Sequence, residues 1–261
     1  MKKHNDIVTN QVDWDSAFFL RVSNSWTELV ESIMSCKDCA RFDELLPSVD
    51  GIIFPDPLHY APKVILLLVS WAPPGKPRAV REKQFFHNSS SSDNLRSRVF
   101  NILTKTKPEL QLDKNQPKQS LDRFYGQGFY LVPTIFRRIK NDVEPSDRLV
   151  EHSSQTHLKE ILIFLAQRQG RLRVILLGET PTRAFAKLFQ KHEAARKIAM
   201  ALRGRSPVAT ARNLTMQRPL NFQISTDSYL DVWISNWGRG EGYKTLSDDI
   251  TRTLVWPTEK V

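Results

Sequence analysis

The chain contains two cysteines, Cys36 and Cys39, in a C-x-x-C spacing. Two thiols are too few for a disulfide framework. Three chemistries remain open to such a pair, and we order them as buried structural thiols, then half of a zinc site completed by histidines, then a redox couple. On that ordering no metal and no other cofactor is expected. A second set of reactive residue types falls in four short segments: Trp71-Ala72-Pro73-Pro74-Gly75 with Lys76, Pro133 to Arg138, Gly178-Glu179, and Asn236-Trp237-Gly238-Arg239. Phe85-Phe86-His87-Asn88 adds aromatic rings and an imidazole. Rings stack on a flat ligand, guanidinium forks hold an anion, and His, Asn or Glu can move a proton or orient water. Each residue also has a plain structural use: a phenylalanine in a core, a satisfied histidine, glycines that only turn the chain.

The surrounding pattern shows what must position these groups. Lys63 to Ser70 (KVILLLVS) is a continuous apolar, partly β-branched run, as in a strand covered on both faces. Gly128 to Ile135, Arg173 to Leu177 and Leu230 to Ser235 read the same way. Between them, apolar residues at three- and four-residue intervals predict helices: one through Trp14, Phe18, Trp26, Leu29 and Ile33, then Leu95 to Thr104, His157 to Arg168, Thr182 to Gln190, Glu193 to Arg203 and Leu246 to Val255. Alternating strands and helices predict a three-layer α/β/α domain around a mainly parallel four-stranded sheet, spanning residues 13–261. Residues 1–12 lack periodicity and are expected to be mobile. In open parallel sheets ligands sit at the carboxyl ends of the strands, and all four segments follow a strand. They should therefore converge on one cleft.

Size and charge narrow the classes. At 261 residues with 40% hydrophobic content, the chain can bury one sizeable core. No apolar run approaches the roughly 20 residues of a membrane span, and the basic N-terminus leads into a polar stretch, so a cytoplasmic protein is expected. The formal charge is +10. Most of it lies between Pro181 and Arg218, where Arg183, Lys187, Lys191, Arg196, Lys197, Arg203, Arg205, Arg212 and Arg218 face one acid, Glu193. A polyanion partner follows from this concentration, DNA above all, with a merely solvated basic face as the plainer reading. No P-loop, G-x-G-x-x-G, H-E-x-x-H or G-x-S-x-G occurs.

Taken in order, the segments resemble the uracil-DNA glycosylase superfamily. VILLLVSWAPPGKPRAVREKQFFHN looks like its first active-site motif, FYLVPTIFRR is similar to the strand carrying the base-reading residue, HLKEILIFLAQRQGRLRVILLGETPTRAF resembles its helix-strand-Gly unit, and VWISNWGRGEGYKT stands where the His-Pro-Ser-Gly-Arg loop falls. The Cys pair after an amphipathic helix looks like the start of the branch that binds a [4Fe-4S] cluster. Its third and fourth cysteines would fall near Arg137 and Ser154, and with two cysteines in the chain such a cluster is not expected. The family's acid aligns with Trp71, its base-reading residue with Pro133, and its loop His with Ser235 or Asn236.

The resemblance implies a DNA glycosylase, a hydrolase that flips out a damaged or modified base and cleaves the N-glycosidic bond, in repair or in defence against phage DNA. It implies a base pocket of Trp71, Pro73, Phe85, Phe86 and Thr134, with Asn236, Glu179 and His87 as candidate catalytic groups; Glu82 and Asp142 are the other nearby carboxylates. Lys76, Arg137, Arg138, Arg203, Arg205, Arg212, Trp237 and Arg239 would bind DNA. The alternative is a non-catalytic DNA-binding protein on the same fold. Either is expected as a monomer.

Overall fold

A computed structural model describes residues 25–46, 52–72, 86–89, 93–140, 143–204, 206–236 and 242–256. Strands β1 (Leu66–Ser70), β2 (Phe129–Pro133), β3 (Arg171–Leu177), β4 (Leu220–Ser225) and β5 (Ser228–Ser235) form one sheet in the order β2-β1-β3-β5-β4. The first three and β5 are parallel neighbours, with Ser70 opposite Pro133, Val69 opposite Leu176, and Leu177 opposite Ser235. Among the described residues the sheet thus has five strands where four are expected from the apolar runs. The extra one, β4, is an antiparallel edge hairpin partner of β5. It escapes a search for continuous apolar runs because only alternate residues, Phe222 and Ile224, are buried, as suits an edge strand with one wet face.

The runs that are legible as strands owe this to burial on both faces. Every residue of β1 and β2 is buried, and successive side chains point to opposite faces, so both faces must be covered. Helices supply that cover: α4 (Pro117–Gly126) on β2, α6 (Lys159–Gln169) and α7 (Glu179–Leu188) on β3, and α10 (Gly242–Val255) on β5. The remaining helices are α1 (Trp26–Met34), α2 (Pro57–Tyr60), α3 (Asn94–Thr106), α5 (Asp147–Ser153), α8 (Glu193–Ala201) and α9 (Pro207–Asn213). The long helix expected from Trp14 onward is described from Trp26, where Ser25 caps it by accepting from the Glu28 N–H at 3.2 Å. Trp26, Leu29 and Ile33 form its buried stripe, and Trp26 packs edge-on against Tyr130 and Phe164. Residues 1–12 lie outside the described residues.

One glycine fixes the start of β2. Gly128 has φ of 74°, and an added Cβ would meet the Lys63 carbonyl oxygen at 2.7 Å and the Ile65 nitrogen at 3.1 Å. Ile65 Cγ1 also stands at 2.9 Å, but the two backbone atoms are the obstacles that cannot swing aside. The Gly128 carbonyl accepts from the N–H groups of Ile65 and Leu66, so moving it would disturb the entry to β1. Gly128→Ala is expected to lower stability by about 1–3 kcal/mol, read as a shift in the urea midpoint at unchanged slope.

Candidate functional site

The sheet order places β1 beside β3, and their following connections leave in opposite directions, β1 toward β2 and β3 toward β5. Such a switch point opens a crevice outside the carboxyl ends of the two strands. Backbone hydrogen bonds hold its rim: Thr134 N–H donates to the Ser70 carbonyl at 2.7 Å, Ile135 N–H to Trp71 at 3.0 Å, and Gly178 N–H to Ser235 at 3.0 Å. Thr134 Oγ1 also donates to the Ser70 carbonyl at 2.9 Å. Trp71 is 47% exposed at the tip of β1, and half-buried Asn236 stands at the tip of β5. Gly178, with φ of 92°, turns β3 directly into α7 and sets Glu179 at the helix start.

The other expected site residues are distributed differently. Phe86 is 1% exposed and packs against Phe100 and Phe124 in the main core, so the ring is enclosed where a base-stacking face was expected. His87 is also buried, its Nδ1 2.7 Å from the Tyr125 hydroxyl and its Nε2 2.7 Å from the Leu131 carbonyl. Arg96 braces this turn, donating to the carbonyls of Phe86 and Asn88. Glu179 accepts from Arg183 at 2.8 Å on the outer surface of α7. Of the basic residues, Arg203 is exposed, whereas Arg138 is buried at 2% exposure and Arg137 donates inward to the carbonyls of Met34 and Cys36. Arg212 forms a forked ion pair with Asp249, itself buried and also bonded to Arg252. A forked, largely enclosed pair is a structural clamp between α9 and α10. Pro73, Lys76, Phe85, Arg205, Trp237 and Arg239, with Glu82 and Asp142, lie outside the described residues.

A four-residue group stands out that no part of the sequence reading names as a set. Cys36, just after α1, and Cys39, in the 3-10 turn Asp38–Arg41 that follows, meet His152 and His157, and the ligand atoms of all four lie within 4.8 Å of one another. His152 Nε2 is 3.6 Å from Cys36 Sγ and 3.7 Å from Cys39 Sγ, and His157 Nε2 is 3.9 Å from Cys39 Sγ. The two histidines are five residues apart, which on a regular α-helix separates them by about 140° around the axis. A π-helical turn, Ser154–Leu158, between α5 and α6 reduces that offset, because its wider turn rotates the chain less per residue, and the two rings stand 5.6 Å apart. Phe42 and Phe136 flank the two imidazoles, and Leu45, Ile135, Ile139, Leu149, Val150 and Ala184 form a small second core with Cys39.

Hydrogen bonding sets the tautomer of His157. Ser153 Oγ gives its single proton to the Thr134 carbonyl at 2.8 Å, so toward His157 Nδ1, at 3.4 Å, it can only accept. Nδ1 therefore carries the proton and the Nε2 lone pair faces the thiols. Burial, aided by His152 and Arg137, lowers the His157 pKa to about 3, which keeps the ring neutral. Burial also raises the Cys39 thiol to about 12, with Cys36 adding to the effect.

The fold and site thus define an α/β protein with a topological switch point at the carboxyl edge of its sheet and an adjoining Cys2His2 group. Comparison with known protein families, curated proteins and solved structures finds no match for this chain.

Proposed function

We propose that the protein is a DNA glycosylase of the uracil-DNA glycosylase type that excises a damaged or modified base. One observation carries the reading: the four segments that hold the resemblance follow neighbouring parallel strands, so Trp71, Thr134, Gly178 and Asn236 stand in a row along the carboxyl edge of the sheet. An N-glycosidase needs a flat wall for the extruded base, a group that orients water or steadies the departing base anion, and cations along the DNA backbone. With Phe86 enclosed, the exposed indole of Trp71 is the described ring best placed to be that wall. Asn236 is the amide that would orient water or the base. The cations would come from Lys191, Arg196 and Arg203 on α8 and its flanks and from Arg218 just before β4, all of them exposed.

A non-catalytic DNA-binding protein is the second reading. Its support is that His87 is buried with both ring nitrogens bonded and Glu179 is held by Arg183, so neither is poised for proton transfer. Abasic-site formation on duplex and single-stranded DNA carrying uracil, hypoxanthine, alkylated bases or phage-type modified cytosines separates the two. Excision of any one supports the enzyme; binding without excision of any supports the second reading. In both cases reversing Lys191, Arg196 and Arg203 together should weaken binding about uniformly across sequences and lower the salt slope by about three. Unchanged binding in that triple variant would remove DNA as the partner of this face.

A further inference from the structure

We infer that Cys36, Cys39, His152 and His157 bind one zinc ion in a closed, structural site, and that this ion braces the rim of the crevice. The inference is independent of the reaction proposed above. Tetrahedral zinc holds thiolate sulfur at about 2.3 Å and imidazole nitrogen at about 2.0–2.1 Å, which places a ligating sulfur and nitrogen about 3.6 Å apart. The three sulfur–nitrogen separations are 3.6, 3.7 and 3.9 Å. His152 Nε2 stands almost equidistant from two sulfurs, and Cys39 Sγ lies close to two imidazoles. A common point between all four atoms satisfies every one of them.

The donor set selects the metal. Two thiolates with two neutral imidazoles in a tetrahedral arrangement are the ligands of zinc, and two thiolates do not complete the cysteine set of a [4Fe-4S] cluster. Four protein ligands leave no open position, so the ion would have a structural task. The support behind the ligands is also that of a metal site: Ser153 fixes the His157 tautomer, and Arg137 ties the backbone carbonyls of Met34 and Cys36. Through Ser153 the group reaches the Thr134 carbonyl, and Thr134 in turn bonds Ser70 at the tip of β1. Zinc would thus join the end of α1 to the α5–α6 segment and hold Thr134 in register at the crevice rim.

The decisive measurement is metal content of the full chain, purified without a histidine tag under reducing conditions, with X-ray absorption to identify ligands. About one zinc per chain with two sulfur and two nitrogen neighbours is expected. His152→Ala should lose most of it, while His152→Cys, which supplies a smaller thiolate ligand, should retain it. Stripping the metal with a chelator should lower the thermal midpoint by more than about 10 °C, reversed by zinc chloride alone. Folded protein with less than about a tenth of a zinc per chain, failing to take up added zinc or cobalt, would overturn the site. Iron in stoichiometric amount, or equal zinc content in wild type and His152→Ala, would overturn the assignment of metal or ligand. Because the wild-type content and the His152→Cys variant are read directly, misfolding of the alanine variant does not protect the inference.

Discussion

On the proposed glycosylase reading, Asn236→Ala is expected to slow single-turnover base excision on the order of 10²-fold or more, with DNA affinity nearly unchanged. The magnitude is that of removing one preorganised hydrogen-bond donor from a developing anion. The split follows from position: Asn236 sits at the tip of β5, directly after Ser235, whose carbonyl accepts from Gly178 N–H at the tip of the neighbouring β3. The Asn236 carbonyl is itself anchored by Thr245 Oγ1 at 3.1 Å, so the backbone that presents its amide is held from α10. A group acting only in the transition state lowers the rate without lowering affinity. Loss of affinity in parallel with rate would make Asn236 a binding residue, and full activity in the variant would remove it from the chemistry while leaving the enzyme class standing. Trp71→Ala tests the other side of the crevice. If the indole is the wall for the extruded base, its loss should reduce excision even at saturating enzyme.

Acid should destabilise the fold through His87. Burial lowers its pKa to about 3, opposed by the bond to the Leu131 carbonyl and reinforced by the nearby Arg96. A carbonyl can only accept, so the neutral ring places its proton on Nε2 and takes the Tyr125 hydroxyl proton at Nδ1. Tyr130 stacks on the ring, and Phe54 and Phe86 close the other sides. Below pH about 6.5 the unfolded chain takes up a proton that the folded chain refuses, so stability falls as pH drops from there toward 3. The one-site loss is about 2–3 kcal/mol by pH 4.5, with a limiting slope of about 1.4 kcal/mol per pH unit. Other buried groups add to the total, so the readout is a difference. Urea unfolding of wild type and His87→Gln across pH 7 to 4.5 should show a shallower profile in the variant; parallel profiles would mean that His87 is protonated without cost.

Burial decided the fate of several residues whose type alone permits two uses. Phenylalanine serves a core or a stacking platform equally well, and only the packing of Phe86 against Phe100 and Phe124 separates them. Arginine is read from sequence as a phosphate ligand because it is nearly always exposed. Here Arg212 answers Asp249, 37 residues away, and Arg96 and Arg137 bond backbone carbonyls. Such partners are long-range contacts with no local pattern. The exposed basic residues of α8 and its flanks, by contrast, have the exposure that the charge count leads one to expect.

What the sequence determined by itself was the α/β frame: strands buried on both faces must be continuous apolar runs, helices against them must be amphipathic, and strand ends must carry the loops. Both periodicities are local, so they are legible residue by residue. The edge strand β4 and the Cys2His2 group were decided only in three dimensions. β4 has half of its side chains in solvent and a short alternation that many loops share. The histidines complete the cysteine pair from more than 110 residues away, and their five-residue spacing suits no regular helix. A single π-helical turn brings them onto one face. It lies where α5, which buries Leu149 and Val150 in the second core, gives way to α6, which buries Ile161, Leu162 and Leu165 in the main core, and no pattern in residues 152 to 157 announces it.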